Sequence, residues 1–229
     1  MLKEMKMNKM FMLDFDGTIV ESMYYWWKLS EEYLINTNIV PLKNTPELTW
    51  KYDFNGLYQY FEDTYKIDVS YDLFCNRLNQ IIKKPYINDI GLKPGCEEFL
   101  HFLKTKNIKV LVVTNTCRDS LQPCLDKYDL NRYIYGVESS FDTNMPKNDP
   151  NTFKKILDKY SVNSTDCILV DDSISAIKAA KKVGITTIGI FEYYTSSHWK
   201  EIEKEADYQV SDLSTLIKFI QNNQLLSRF

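Results

Sequence analysis

The sequence predicts a doubly wound α/β fold, in which a mostly parallel, Rossmann-like sheet carries an inserted helical subdomain. Continuously apolar runs at residues 10–13, 108–113 and 167–170 are typical of parallel strands that are buried on both faces. Helical patterns separate these runs, and such alternation of strands and helices is the signature of a doubly wound sheet. The 229 residues suffice for one domain that carries an insertion.

Weaker strand-like runs extend this predicted sheet. Residues 185–190 read ITTIGI, and a weaker run follows at residues 207–210. Residues 133–137 predict another short strand between the second and third strong runs. The core sheet is therefore expected to contain five or six strands.

The helices of the core are predicted from their start and stop signals. Pro94 suits the first position of a helix, where its missing N–H costs little, and apolar residues follow it at a spacing of three to four. Asp149 followed by Pro150 predicts an N-cap and a first helical residue. This helix is predicted to end at Tyr160. Ser173 is predicted to cap a helix that runs to Val183 and stops at Gly184, and Ser211 to cap a last helix that runs to Ile220.

Residues 20–91 interrupt the alternating pattern. They contain no buried strand run, and they predict several amphipathic helices joined at Pro41, Pro46 and Gly56. We therefore expect a core domain formed by residues 1–19 and 92–229, and a small helical domain formed by residues 20–91.

Composition excludes several classes of function. Hydrophobic residues make up 44% of the chain, charged residues 26%, and the net charge is -3, so no nucleic-acid interface is expected. No apolar run approaches the roughly 18 residues that a membrane helix needs. The five cysteines contain no C-x-x-C pair and there are only two histidines, so a zinc site is not expected. We expect a cytoplasmic protein that is a monomer or a weak homodimer.

Two acids follow the first predicted strand. Asp14 and Asp16 are two residues apart, so in an extended chain both side chains point to the same side. Their carboxylates repel each other unless a cation, a shared proton or a reacting group lies between them. Gly17 permits a sharp turn and Thr18 adds a hydroxyl. This pattern indicates a catalytic or metal site, although Asp-Gly is also a common turn pair.

The other strands also end in polar residues. Thr114 and Asn115 follow the second strong run, Asp171 and Asp172 follow the third, and Lys147 precedes the helix that begins at Pro150. Ligands of open α/β sheets bind at the carboxyl ends of the strands. We therefore expect these side chains to converge with Asp14 and Asp16.

This ordered set resembles the four motifs of the haloacid dehalogenase-like (HAD) phosphatase superfamily: Asp14-Phe15-Asp16-Gly17-Thr18, Thr114-Asn115, Lys147 and Asp171-Asp172. The resemblance covers nearly the whole chain, and the insertion is similar to the helical C1 cap of subfamily I. It implies that Asp14 is a nucleophile that forms an aspartyl-phosphate. It also implies that Asp16 is the acid/base, and that Lys147 offsets negative charge.

The resemblance further implies a Mg²⁺ cofactor and a phosphoryl-binding loop. The expected metal ligands are Asp14, Asp16 through its main-chain carbonyl, Asp172 and, directly or through water, Asp171. The residues expected to bind substrate are Phe15, Gly17, Thr18, Thr114 and Asn115. Asp171 stands where many members have Gly, and Ala176 stands where a later acid is common, so Asp171 is expected to supply that carboxylate.

Substrate choice in such proteins resides largely in the cap. Of the aromatic run Tyr24, Tyr25, Trp26 and Trp27, we expect Trp26 and Trp27 to contact the substrate and the others to form the core of the cap. Lys28, Arg77, Lys83 and Lys84 could bind a second acidic group, although solvated surface positions are the alternative.

The resemblance leaves three functions to compare. The first is a Mg²⁺-dependent phosphatase that acts on a small phosphate monoester. The second is a phosphotransferase or phosphomutase of the β-phosphoglucomutase type, which passes the phosphoryl group to a sugar hydroxyl. The third is a non-catalytic binding protein on the same fold. Asp16 disfavours a dehalogenase, whose first motif lacks this second acid.

Overall fold

The computed structural model describes residues 9–50 and 52–222. Its centre is a six-stranded, all-parallel sheet in the order β3-β2-β1-β4-β5-β6. The strands are β1 Met10–Leu13, β2 Lys109–Thr114, β3 Ile134–Ser139, β4 Cys167–Asp171, β5 Thr186–Ile190 and β6 Tyr208–Val210. This order is the doubly wound arrangement, so the predicted fold class is confirmed.

Helices cover both faces of this sheet. They are α1 Met23–Asn36, α2 Thr45–Thr49, α3 Phe54–Tyr65, α4 Tyr71–Asn88, α5 Cys96–Thr105, α6 Arg118–Lys127, α7 Ser140–Thr143, α8 Pro150–Tyr160, α9 Ile174–Lys181, α10 Trp199–Glu205 and α11 Leu213–Asn222. Successive side chains of a strand point to opposite faces. Accordingly Phe11 belongs to a cluster with Phe99 of α5, and Met12 to a second cluster with Phe153 of α8. Burial on both faces explains the continuous apolar pattern of the strands.

Two of the predicted helix starts are wrong. Pro94 does not open a helix, because Gly95 adopts the left-handed conformation at φ 79° and α5 begins only at Cys96. Ser211 is not the cap of the last helix, because the Asp212 Oδ1 atom accepts the hydrogen bond from the N–H of Thr215 at 2.7 Å. Asp149 caps α8 as predicted, since its side chain accepts from the N–H of Asn151.

Helices α1 to α4 lie between β1 and β2 in the chain and form the unit we call the helical cap. Its interior is aromatic, with the Tyr33 ring 4.8 Å from Phe74 and 5.6 Å from Phe61, centroid to centroid. The two chain segments that lead into and out of the cap lie side by side, since Val20 bridges Leu92. The division at residues 20 and 91 is close to this pair of segments and stays a prediction.

Two further observations concern the protein's environment. Within residues 9–50 and 52–222, no helix is both long enough and apolar enough to cross a membrane. All five cysteines are free, and four of them are buried.

Replacing Gly95 with Ala is expected to destabilise the fold by about 2–4 kcal/mol. A Cβ at this position would lie 2.8 Å from the Cα atom of Ser214, and the residue would keep its positive φ of 79°. Chemical denaturation measures the free energy of unfolding. Gly91→Ala is the matched control, because a Cβ there meets nothing within 4 Å. Equal stabilities of the two variants would contradict this expectation.

Candidate active site

Three neighbouring strands deliver polar side chains to one edge of the sheet. Asp14 follows β1, Thr114 ends β2 and Asp171 ends β4, with β1 paired to both other strands. A cavity of about 640 Å³ opens at this edge, below the helical cap. Its lining residues are Asp14, Asp16, Met23, Trp26, Glu47, Trp50, Tyr52, Asp53, Thr114, Asn115, Thr116, Lys147, Asp172, Ser173, Ser175, Thr195, Ser197 and His198.

A buried cluster of charges forms the floor of this cavity. Oxygen atoms of Asp14, Asp171 and Asp172 all lie within 4.8 Å of one another. The Lys147 Nζ atom lies 2.7 Å from Asp14 Oδ1 and 2.9 Å from Asp171 Oδ2. All four side chains are buried. One lysine therefore faces three carboxylates, which leaves an excess of negative charge.

The pKa values reflect this crowding. Burial raises the pKa of Asp172 to about 7, and the charge of Asp171 adds to the effect. Burial also raises the pKa of Asp14 well above its usual 3.8, with Lys147 opposing and the neighbouring acids reinforcing the shift. For Lys147, burial lowers the pKa, but the charges of Asp14 and Asp171 outweigh it and leave the pKa above 10.5. Lys147 is thus a fixed cation that faces three buried acids.

A divalent cation fits this cluster. Its donors are carboxylate oxygens, which hard cations prefer, and its excess negative charge would be neutralised by a divalent ion. Asp171 already uses Oδ2 for Lys147 and Oδ1 for the N–H of Ser173 at 2.9 Å. Asp172 lines the cavity, and its Oδ2 atom accepts from the Thr195 hydroxyl at 3.1 Å. Asp14 and Asp172 are therefore the more accessible ligands.

Asp16 lies beside this cluster and has a different environment. Its Oδ1 atom accepts hydrogen bonds from the hydroxyls of Ser22, at 2.5 Å, and Tyr86. Its Oδ2 atom accepts from the hydroxyl of Thr116 at 2.6 Å. The Trp26 Nε1 atom in turn donates to the Tyr86 hydroxyl at 3.0 Å. A chain of hydrogen bonds therefore joins the helical cap to Asp16.

Sequence reasoning missed these hydroxyl partners. Tyr86 lies 70 residues from Asp16 and on an amphipathic helix, where its pattern predicts only a core aromatic. Ser22 and Thr116 are small polar residues near predicted turns, without a distinguishing pattern. Burial raises the pKa of Tyr86 well above 10, and the charge of Asp16 raises it further, so the hydroxyl remains a donor.

The other residues of the first motif shape the loop and do not line the cavity. Phe15 is buried with its ring 6.0 Å from that of Tyr86, and its N–H donates to Asp14 Oδ1 at 2.7 Å. Gly17 has φ 79°, and a Cβ there would lie 3.1 Å from Asp172 Oδ2. Thr18 is buried too. Among the described residues expected to bind phosphate, Thr114 and Asn115 line the cavity.

The two tryptophans expected to contact substrate lie in different places. Trp26 lines the cavity, whereas Trp27 packs 5.9 Å from the ring of Tyr194 and is absent from the described lining. The Lys28 Nζ atom donates a hydrogen bond to Glu31 Oε2 at 2.5 Å. The cationic side chains of Arg77 and Lys84 line a separate groove on the cap.

Comparison with known proteins assigns the family. The haloacid dehalogenase-like hydrolase profile matches residues 11–190, which is most of the chain. The chain belongs to this hydrolase family. That assignment agrees with the resemblance of the four motifs.

Individual proteins similar to this chain have low sequence identity to it. A phosphorylated carbohydrates phosphatase from Thermotoga maritima is 28% identical over 123 residues, which cover 54% of this chain and only 57% of that protein. A phosphoglycolate phosphatase from Pseudomonas fluorescens is 22% identical over 217 residues, covering 90% of this chain and 77% of the relative. The structure of CbbY from Rhodobacter sphaeroides in complex with phosphate has a TM-score of 0.76 at 16% identity, covering 91% and 96% of the two chains. This last likeness concerns the fold alone.

Proposed function

We propose that this hydrolase is a Mg²⁺-dependent phosphatase that cleaves a small phosphate monoester through an aspartyl-phosphate. The observation that carries the proposal is the placement of Asp14 at the cavity floor, in contact with Lys147 and beside Asp172. The names of the relatives from Thermotoga maritima and Pseudomonas fluorescens, both phosphatases, support it. We place the enzyme in the cytoplasm as a monomer or weak homodimer, where its five free cysteines stay reduced.

The proposed metal ligands are Asp14, Asp172 and the main-chain carbonyl of Asp16, with Asp171 direct or through water. When bound, Mg²⁺ would supply positive charge that lets a phosphate dianion approach a carboxylate. Lys147 supplies a second positive charge, 2.7 Å from the attacking carboxylate. Thr114 and Asn115 offer a hydroxyl and an amide from the end of β2 to the phosphoryl oxygens. Positioning and charge stabilisation supply most of the catalysis of phosphoryl transfer.

The reaction has two balanced steps. An oxygen of Asp14 attacks phosphorus while the bond to the leaving oxygen breaks, and Asp16 gives that oxygen a proton. Asp16 then takes a proton from water, whose oxygen attacks phosphorus and releases inorganic phosphate and free Asp14. The hydroxyls of Ser22, Thr116 and Tyr86 hold the Asp16 carboxyl in one orientation for both steps.

The first test is a measurement of products. Purified protein with Mg²⁺ should release inorganic phosphate from p-nitrophenyl phosphate and from alkyl phosphates. Isomerisation of a sugar monophosphate in the presence of a small amount of sugar bisphosphate, without net phosphate release, would instead identify a phosphomutase. No turnover with either set of compounds would favour a binding protein on this fold.

Removal of divalent cations is expected to lower phosphate release about 100-fold, because Lys147 alone does not offset the three buried acids and the remaining negative charge repels a phosphate dianion. The protein is stripped with a chelator, dialysed and assayed, and Mg²⁺ is then titrated back. Recovery should follow Mg²⁺ concentration, while K⁺ at matched ionic strength should restore nothing. Full activity after stripping would contradict the metal assignment.

Replacing Tyr86 with Phe is expected to lower kcat/KM for an alkyl phosphate about 10- to 100-fold, because Asp16 loses a hydrogen bond that orients its carboxyl group toward the leaving oxygen. The loss for p-nitrophenyl phosphate should be only about threefold, since p-nitrophenolate leaves with little need of a proton. kcat/KM isolates the transfer of phosphate to Asp14. A merely structural defect would lower both values equally.

Tyr128→Phe is the matched control for this substitution. The Tyr128 hydroxyl donates to the carbonyl of Ile90 at 3.0 Å, so this change also removes one tyrosine hydroxyl, here from a part-buried hydrogen bond. Neither kinetic value should change more than about twofold, since Asp16 keeps its donors. If Tyr128→Phe also lowered kcat/KM more for the alkyl phosphate than for p-nitrophenyl phosphate, the positioning role of Tyr86 would be rejected.

A further inference from the structure

The wall that the helical cap contributes to the cavity has a distinctive composition. Trp26, Trp50 and Tyr52 provide three aromatic side chains, and Glu47 and Asp53 provide two carboxylates. This wall faces the same cavity whose floor holds the nucleophile. The cap wall therefore offers aromatic rings and carboxylates to the alcohol part of a phosphate ester bound at the floor.

The cavity offers little to a second anionic group. Within the described lining, Lys147 is the single lysine or arginine, and it is already paired with Asp14 and Asp171. His198 is the remaining basic residue of the lining. A carboxylate or second phosphate on the substrate would instead meet Glu47 and Asp53, and like charges disfavour such binding.

A cationic group suits the same wall. Ammonium ions bind over the faces of Trp and Tyr rings, and aromatic cages are the usual sites for quaternary ammonium ligands. Carboxylates at the mouth of a cleft also raise the local concentration of cations. We propose that the substrate is the phosphate monoester of an amino alcohol, with its ammonium group held by the cap wall.

This inference rests on the proposed phosphatase function but concerns a separate part of the molecule. The cleaved bond is still the one between phosphorus and the alcohol oxygen, with water as co-reactant. The ammonium group keeps its charge throughout and exchanges no proton, so a quaternary ammonium fits as well as a primary one.

Matched ligands test the charge preference. Phosphocholine and 3,3-dimethylbutyl phosphate have nearly the same shape, but the first carries a cationic nitrogen where the second has a neutral carbon. Phosphoglycolate represents an anionic leaving group. We expect kcat/KM for phosphocholine to exceed that for 3,3-dimethylbutyl phosphate about tenfold, and that for phosphoglycolate by more. Calorimetry with the Asp14→Asn variant should give the same order of affinity without turnover.

Variants of the wall complete the test. The double variant Glu47→Gln, Asp53→Asn should reduce the preference for phosphocholine over its neutral isostere to about twofold or less. Asn remains a good N-cap at position 53, where the native side chain accepts from the N–H of Gly56. Asp63→Asn, which removes a charge from an exposed position of α3, should keep the tenfold ratio.

Two results would overturn the inference. One is an equal kcat/KM for phosphocholine and 3,3-dimethylbutyl phosphate, and the other is a higher kcat/KM for phosphoglycolate than for phosphocholine. Calorimetric binding to the Asp14→Asn variant, compared with hydrolysis by the wild type, distinguishes failure of this inference from failure of the proposed function. Tight, charge-selective binding without hydrolysis of p-nitrophenyl phosphate would support the ammonium site and reject the phosphatase activity. Hydrolysis without charge selectivity would do the reverse.

Discussion

Replacing Asp14 with Asn is expected to lower kcat/KM for p-nitrophenyl phosphate about 10,000-fold or more, because an amide oxygen does not attack phosphorus. The substitution keeps the shape of the side chain. It also keeps Lys147 paired, through its 2.9 Å contact with Asp171. The loss should therefore arise from chemistry. Release of inorganic phosphate, measured with Mg²⁺ present, is the assay.

The free energy of unfolding of the Asp14→Asn variant should not fall along with its activity. Burial raises the pKa of Asp14 well above 3.8 against the opposing charge of Lys147, so its ionised form costs folding free energy at neutral pH. The Asn variant removes that charge from the crowded cluster. Its free energy of unfolding without Mg²⁺ is expected to equal or exceed that of the wild type.

Asp149→Asn is the control for the same chemical change at a helix cap. Asn and Asp are equally good N-caps, so activity should stay within about twofold of the wild type. Retention of more than about one per cent of activity by a folded Asp14→Asn protein would reject the nucleophile.

The sequence predicts the acids at the floor of the cavity well, because local rules govern their placement. A strand that is buried on both faces is largely apolar, so residues 10–13 and 167–170 are visible as apolar runs. Parallel strands align their carboxyl ends, which brings Asp14 and Asp171 together without knowledge of any long-range contact. Lys147 is predicted from its place in the loop before the helix that begins at Pro150, and the order of the motifs supports it.

The rest of the site depends on long-range contacts that no local pattern records. Whether Trp26 or Trp27 faces the cavity is decided by how α1 rotates against the cap core. The placement of Glu47 in the cavity wall also depends on a long-range contact, since it follows from the packing of the short helix α2 on α1. Helix starts fail for a related reason: a left-handed Gly95 outweighs the preference of Pro94 for the first turn.

Replacing Lys147 with Met is expected to lower kcat/KM about 1,000-fold. The Nζ atom lies 2.7 Å from Asp14, so in the proposed reaction it would offset negative charge between this carboxylate and the phosphate. Met has a similar length and no charge. Phosphate release by the folded variant is compared with that of Lys155→Met, which removes a lysine from an exposed position of α8 and should leave activity unchanged.

Stability again separates the two roles of this lysine. Removing one partner of a buried ion pair leaves its carboxylates uncompensated, so without metal the Met variant should lose about 3–5 kcal/mol of unfolding free energy. Added Mg²⁺ should recover part of this loss, because a divalent ion can neutralise Asp14 and Asp172. It should not recover activity, since the charge would still be missing from the lysine's side of the nucleophile. If Mg²⁺ restored stability and activity together, Lys147 would contribute to folding of the site and not to phosphoryl transfer.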